Sequence, residues 1–287
     1  MRTLSGSASR RPDRHERSDS VVILTALDLE YAALRSMITV NTERCHPAGT
    51  LFEVGRRADR GGQVIIAQAG IGNNRAASIT ERAISLFQPR AVLFVGVAGA
   101  LHDDLELGDV VVATKVYAYN SCKHDTEGEH SRPEAWQAPH EIDQLARRVV
   151  RVNTWPAVLA EGVAAPRVHF KPIASGDAVL DSRSSQLSRE IQRNFNDAVA
   201  IDMESAGAAT AGQLNPHTPV LMIRGVSDHA DGNKAQADRT GSQDRAAAHA
   251  AALAISVAAE ILTGRHPDQG RGNVVVPGAV TASRAWR

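Results

Sequence analysis

Apolar positions in this chain gather into short β-branched runs that alternate with longer alanine-rich stretches. The runs at 21–25, 64–68, 91–97, 110–116, 168–173, 198–201 and 220–226 are the length of strands buried on both faces. The stretches at 73–87, 139–152, 183–195, 204–214 and 244–262 have the length and spacing of helices. The last is almost wholly apolar, interrupted by His249 and Glu260. Its length and alanine content predict a packed terminal helix rather than a membrane span. Strands alternating with helices predict an α/β fold: a three-layer α/β/α sandwich around a central mixed, mostly parallel sheet.

The two ends break the pattern. Residues 1–20 are rich in Arg, Ser and Asp without an aliphatic run, and read as a disordered basic arm that cannot offset its ordering entropy. Residues 265–287 read as a loosely ordered tail, in which a short valine run at 274–276 adds an edge strand or nothing. One domain over 21–264 remains, a length that a single core can serve. Lys plus Arg and Asp plus Glu both number 32, so no global field draws nucleic acid, and 4% aromatics argues against base-stacking surfaces. Two cysteines are too few for a disulfide framework or a cysteine-built zinc site. With no apolar span and no signal-like N-terminus, the expectation is a soluble, cytoplasmic protein without a membrane partner.

In open α/β folds, ligands gather where loops leave the carboxyl ends of strands. Several polar segments fall there. Gly70-Ile71-Gly72-Asn73 opens a helix; its glycines let backbone N–H groups converge on an anion or hydroxyl, and a tight turn explains them equally well. There is no third glycine at dinucleotide spacing and no P-loop. Gly96-Val97-Ala98-Gly99 serves either as a ligand floor or as close packing. Met203-Glu204, ahead of an alanine-rich helix, suits a sugar: the carboxylate accepts from a vicinal diol and the thioether packs on the ring, although a Glu there is also an ordinary helix-start residue. Arg224 is a charge inside an apolar strand and needs a partner, for which a rim carboxylate such as Glu30 is the natural expectation. Ser227-Asp228 closes that strand, where a carboxyl is placed for general acid work or for capping a turn. The histidines do not fall at metal-ligand spacings, no serine-hydrolase elbow is present, and Cys122 lacks an activating neighbour.

Seven segments in order, ILTALDLEYAAL, AGIGNNRAA, FVGVAGAL, LGDVVVATKV, IASGDAVLDS, AIDMESAGAA and IRGVSDHADG, resemble the purine nucleoside phosphorylase/uridine phosphorylase superfamily. Within it they look like the methylthioadenosine/S-adenosylhomocysteine nucleosidase-like branch. The resemblance implies an N-ribosyl hydrolase that breaks the glycosidic bond of purine, and specifically adenine, nucleosides. It implies that Asp228 protonates the base, that Glu30 positions and deprotonates the water, and that Arg224 helps to hold both. Glu204 would bind the ribose hydroxyls above Met203, and Ala178 and Val179 would read the base edge through their backbone. Gly72 and Ser227 come in as substrate-binding neighbours. No cofactor or metal is implied, and the family habit of building pockets between subunits implies a homo-oligomer.

Four departures qualify this, of which Asp202 in place of a usual Glu is a mild one. Val97 stands where many members carry a hydroxyl, which favours water over phosphate. Val179 stands where an aromatic commonly stacks on the purine. The segment 121–136, where the nucleosidases build an apolar 5′-pocket, carries Lys123, His124 and Arg132. An adenine-nucleotide nucleosidase, a phosphate-dependent phosphorylase and a non-catalytic nucleotide-binding module are the alternatives.

Overall fold

The computed structural model describes residues 18–56, 62–126, 128–159, 164–233, 237 and 239–264. The expectations for the basic arm up to residue 17 and for 265–287 lie outside these. Strand β1 (Ser20–Thr25) is buried throughout. Ser18 already belongs to the fold, because its N–H donates to Gln88 O (3.0 Å) and its hydroxyl to Phe87 O (2.6 Å). The fold therefore takes in 18–20, which the apolar run at Val21 had left to the arm.

Then follow α1 (Asp28–Arg35), β2 (Thr39–Cys45), β3 (Leu51–Arg56), β4 (Gln63–Gln68), α2 (Asn73–Phe87), β5 (Ala91–Ala100), β6 (Val110–Ala118), β7 (Cys122–Asp125), β8 (Gly128–Ser131) and β9 (Glu134–Gln137). The second half contains α3 (His140–Val152), a 3₁₀ turn (Trp155–Val158), β10 (Val168–Ser175), α4 (Gln186–Asn194), β11 (Ala200–Asp202), α5 (Ser205–Leu214), β12 (Val220–Asp228) and α6 (Ser242–Thr263). Every strand and helix expected from the sequence is present. The additions are α1, the β2–β3 pair, the β7–β8 hairpin and β9.

The main sheet runs β11-β10-β6-β12-β5-β1-β4-β3-β2. Parallel pairs β4–β1, β1–β5 and β5–β12 form its centre, and β6–β10 and β10–β11 are parallel as well. β12 meets β6 antiparallel, and β11 also pairs antiparallel with the end of β5, closing β5, β12, β6, β10 and β11 into a ring. This closure bends the carboxyl ends of β5, β10, β11 and β12 towards one another, which is what builds a site.

Helices α2 and α5 cover one face, over a core that includes Phe52, Phe94 and Met222. Helices α1, α3 and α6 cover the other, over Leu93, Ile223 and Trp155. Helix α6 lies so close to β12 that a side chain at Gly225 would collide with the Ala246 carbonyl. It is apolar enough to cross a membrane, but 72% of its most apolar stretch is buried inside the domain. It acts as a core helix, as its alanines predicted.

Candidate active site

Glu30 sits in the first turn of α1, directly after β1, and is 3% exposed. Its Oε2 accepts from the N–H groups of Ala26 (2.8 Å) and Leu27 (2.9 Å), and its Oε1 from the N–H of Val97 (2.8 Å). Val97 thus contributes to the site through its backbone. Burial raises the Glu30 pKa, against the pull of Arg224 and the three N–H donors.

Arg224, on the buried strand β12, is completely enclosed and lies over the Phe94 ring. Its ion-pair partner is not Glu30 but Asp202: Arg224 Nε stands 2.7 Å from Asp202 Oδ2, and Nη2 stands 3.7 Å from Glu204 Oε2. The reason is topological, because β11 delivers Asp202 to the floor of the site while α1 holds Glu30 above Gly96. Arg224 Nη1 has no hydrogen-bond partner among the described residues. Nη1 and Glu30 Oε1 each lie 2.5 Å from the point where a Cβ on residue 96 would stand. Gly96 is what lets these two groups converge.

Asp202 also starts α5, its Oδ1 accepting from Ser205 N (3.1 Å) and its Oδ2 from the Ser205 hydroxyl. Arg224 Nη2 donates to that hydroxyl as well (3.2 Å). Asp202 Oδ1 accepts from Glu204 N (3.3 Å) too, so Asp202 makes an Asx-type turn ahead of the helix rather than an N-cap. Glu204 is 6% exposed, and its Oε1 accepts from the N–H of Gly72 (3.1 Å), a residue at φ 103°. Burial pushes its pKa up to about 7, with Arg224 opposing and Asp202 reinforcing the shift. Met203, half-buried, lies between these two carboxylates in the chain.

Asp228 is the last residue of β12 and 4% exposed. Its Oδ2 accepts from the Ser227 hydroxyl (2.8 Å) and its Oδ1 from Ala230 N (3.0 Å). A side chain at Gly99 would meet Asp228 Oδ1 at 2.9 Å, so the glycine-rich end of β5 makes room for the acid. Ala178 and Val179 follow β10 at the rim, both exposed; the Ala178 carbonyl accepts from the Tyr119 hydroxyl (2.9 Å). Lys123 is exposed, and its Nζ pairs with Asp125 Oδ2 (2.8 Å) within the β7–β8 hairpin. The side chain of His124 lies outside the described residues, and Arg132 is exposed. Sequence reasoning gave no role to Asn73, Asn120 or Asp177; at the same rim Asp177 accepts from both asparagines.

The model of the phosphorylase superfamily matches residues 20–259. The chain belongs to this superfamily. It lies on the methylthioadenosine/S-adenosylhomocysteine nucleosidase-like branch, as the seven segments implied. The 5′-methylthioadenosine/S-adenosylhomocysteine nucleosidase of Staphylococcus saprophyticus is 31% identical over 217 residues, covering 74% of this chain and 87% of that protein. The nucleosidase of that name from Colwellia psychrerythraea, solved in complex with adenine, superposes with a TM-score of 0.71 at 25% identity, over 85% of this chain and 96% of that one. Futalosine hydrolase of Helicobacter pylori shares the fold, with a TM-score of 0.69 at 23% identity over 83% and 96% of the two chains.

Proposed function

We propose that this superfamily member is an N-ribosyl hydrolase that cleaves the glycosidic bond of purine, and specifically adenine, nucleosides and releases the free base. The observation that carries the reading is the convergence of Glu30 Oε1 and Arg224 Nη1 over Gly96, at most about 5 Å apart and without an ion pair between them. One water bridges such a span, donating to Glu30 and accepting from the otherwise unpartnered Nη1. A carboxylate with a raised pKa, fixed by three N–H groups, is suited to take the water's proton as its oxygen attacks C1′.

The rest of the rim matches the charge that develops. Glu204 accepts hydrogen bonds from the ribose 2′ and 3′ hydroxyls, with Met203 beneath the sugar. The carboxylates also offset positive charge on the ribose as the C1′–N9 bond breaks. Asp228 delivers a proton to N7, so that the base leaves neutral. None of these steps calls for a metal or a cofactor. The relatives named for methylthioadenosine and S-adenosylhomocysteine support the substrate class, and the whole works as a homo-oligomer.

The test is to follow free base from methylthioadenosine, S-adenosylhomocysteine, adenosine, inosine, AMP and ATP in phosphate-free buffer. Base release with free ribose or a 5′-substituted ribose as product is expected. A strict need for phosphate, with ribose 1-phosphate as product, would make the protein a phosphorylase, and binding without release would make it a sensor.

A further inference from the structure

We propose that Asp177 is a positioning residue, setting the base-reading segment against the ribose carboxylate by gripping two loops at once. The inference rests on the nucleosidase reading. Asp177 follows Gly176 at the end of β10 and directly precedes Ala178 and Val179. Its Oδ1 accepts from both the side-chain amide (3.0 Å) and the backbone N–H (3.3 Å) of Asn73, and its Oδ2 from the amide of Asn120 (3.1 Å).

Asn73 is itself a junction. Its side-chain oxygen accepts from Gly207 N in α5 (2.8 Å) and from the Ser175 hydroxyl (3.2 Å). The neighbouring Gly72 N–H is the donor that holds Glu204. The base-reading segment and the ribose carboxylate are therefore registered through two adjacent residues, Gly72 and Asn73. On the opposite side, the chain between β6 and β7 lies directly on the segment. Any side chain at Gly176 would run into Tyr119 and Asn120, and the Tyr119 hydroxyl bonds the Ala178 carbonyl. Gly176 N–H donates to the Asp202 carbonyl (3.1 Å), which adds a tie to the floor beneath Arg224.

Asp177, Asn73 and Tyr119 touch no reacting atom in the proposed mechanism. Their bonds determine where the 178–179 backbone stands when a base arrives. Loss of this register weakens the grip on the base and leaves the bond-breaking groups in place, so the consequence belongs to KM rather than kcat. Substituting Asn for Asp177 preserves the arrangement: its oxygen still accepts from Asn73, and its NH₂ donates to Asn120 once that amide turns over.

The experiment compares wild type, Asp177→Ala and Asp177→Asn in base release, thermal melting and amide hydrogen exchange across 176–180. For Asp177→Ala we expect KM to rise about tenfold with kcat held within about threefold, together with faster exchange confined to that segment. Asp177→Asn should restore both. Unchanged KM and exchange in Asp177→Ala would overturn the proposal. So would a fall in kcat and melting temperature that Asp177→Asn does not rescue, since that marks a general structural role. If wild type releases no base from any nucleoside, the functional reading fails by itself. The exchange comparison then decides the latch: local acceleration supports it and unchanged exchange overturns it.

Discussion

Glu204 carries a buried carboxyl whose pKa lies at about 7 rather than 4.5, so its charge is sensitive to pH in the neutral range. The folded protein binds this proton more tightly than the unfolded chain does. The group therefore favours the fold at pH values below about 4.5, and that contribution is lost as pH rises through about 7. Glu30 is shifted in the same direction and adds to the slope. Thermal melts of the unliganded protein from about pH 5 to about pH 8 should show a stability decline in wild type that is shallower in Glu204→Gln. Parallel curves would contradict the assignment. In the proposed mechanism the ionised form accepts from two ribose hydroxyls, so nucleoside binding should strengthen over the interval in which the unliganded fold weakens. Asp228→Asn should leave the fold intact and lower base release by about 10²–10⁴, read in single-turnover assays, because the departing base loses its proton donor. Near-wild-type turnover would remove Asp228 from the role.

Among the elements, two glycines of neighbouring strands have opposite consequences. Gly225→Ala would drive a Cβ into the Ala246 carbonyl of α6, where only backbone can give way, and should cost about 1–3 kcal/mol in denaturant melts. Gly96→Ala would instead press on Arg224 Nη1 and Glu30 Oε1, the two groups proposed to hold the water. Small displacements of such groups are costly, so a loss of about a hundredfold in base release is expected with the fold retained. The buried strands were legible because a strand covered on both faces must be a continuous apolar run, as SVVILT is in β1. Strand β2 was not: TVNTERC is mostly exposed and polar, and its partner β3 supplies the pairing that its pattern does not announce. Helix α1 was hidden because its only buried residues are Glu30 and Leu34, too few for a periodic stripe. The site was legible as a set of residues and not as a set of partners. Local sequence marks Arg224 as a buried charge in need of a carboxylate. Only the closure of β11 against β5 and β10 determines that the carboxylate is Asp202 rather than Glu30.

For the whole molecule, the exposed apolar side chains are unevenly placed. Five large ones among the described residues are between 53% and 75% exposed: Val152 ends α3, and the other four, Leu51, Ile71, Val179 and Leu214, surround α2. Thr50, beside Leu51, accepts from Arg82 of α2, and Asn215, beside Leu214, donates to Glu81 of the same helix. Ile71 immediately precedes the helix, and Val179 is held near its start through Asp177 and Asn73. Exposed apolar groups around one helix are what the proposed homo-oligomer would cover, and in that assembly Ile71 and Val179 would bring the interface to the rim of the site. A twofold contact across α2 would cover the rim residues Ile71 and Val179 and make each site dependent on the other subunit. Changing Leu51 and Leu214 together to Glu places charge on that surface without disturbing either core, because both side chains are already in solvent. Sedimentation velocity should then shift from dimer to monomer at micromolar concentration, with the melting transition of the domain retained and base release lost. Wild type that sediments as a fully active monomer, or a double variant that remains both associated and active, would place the interface elsewhere or dispense with it.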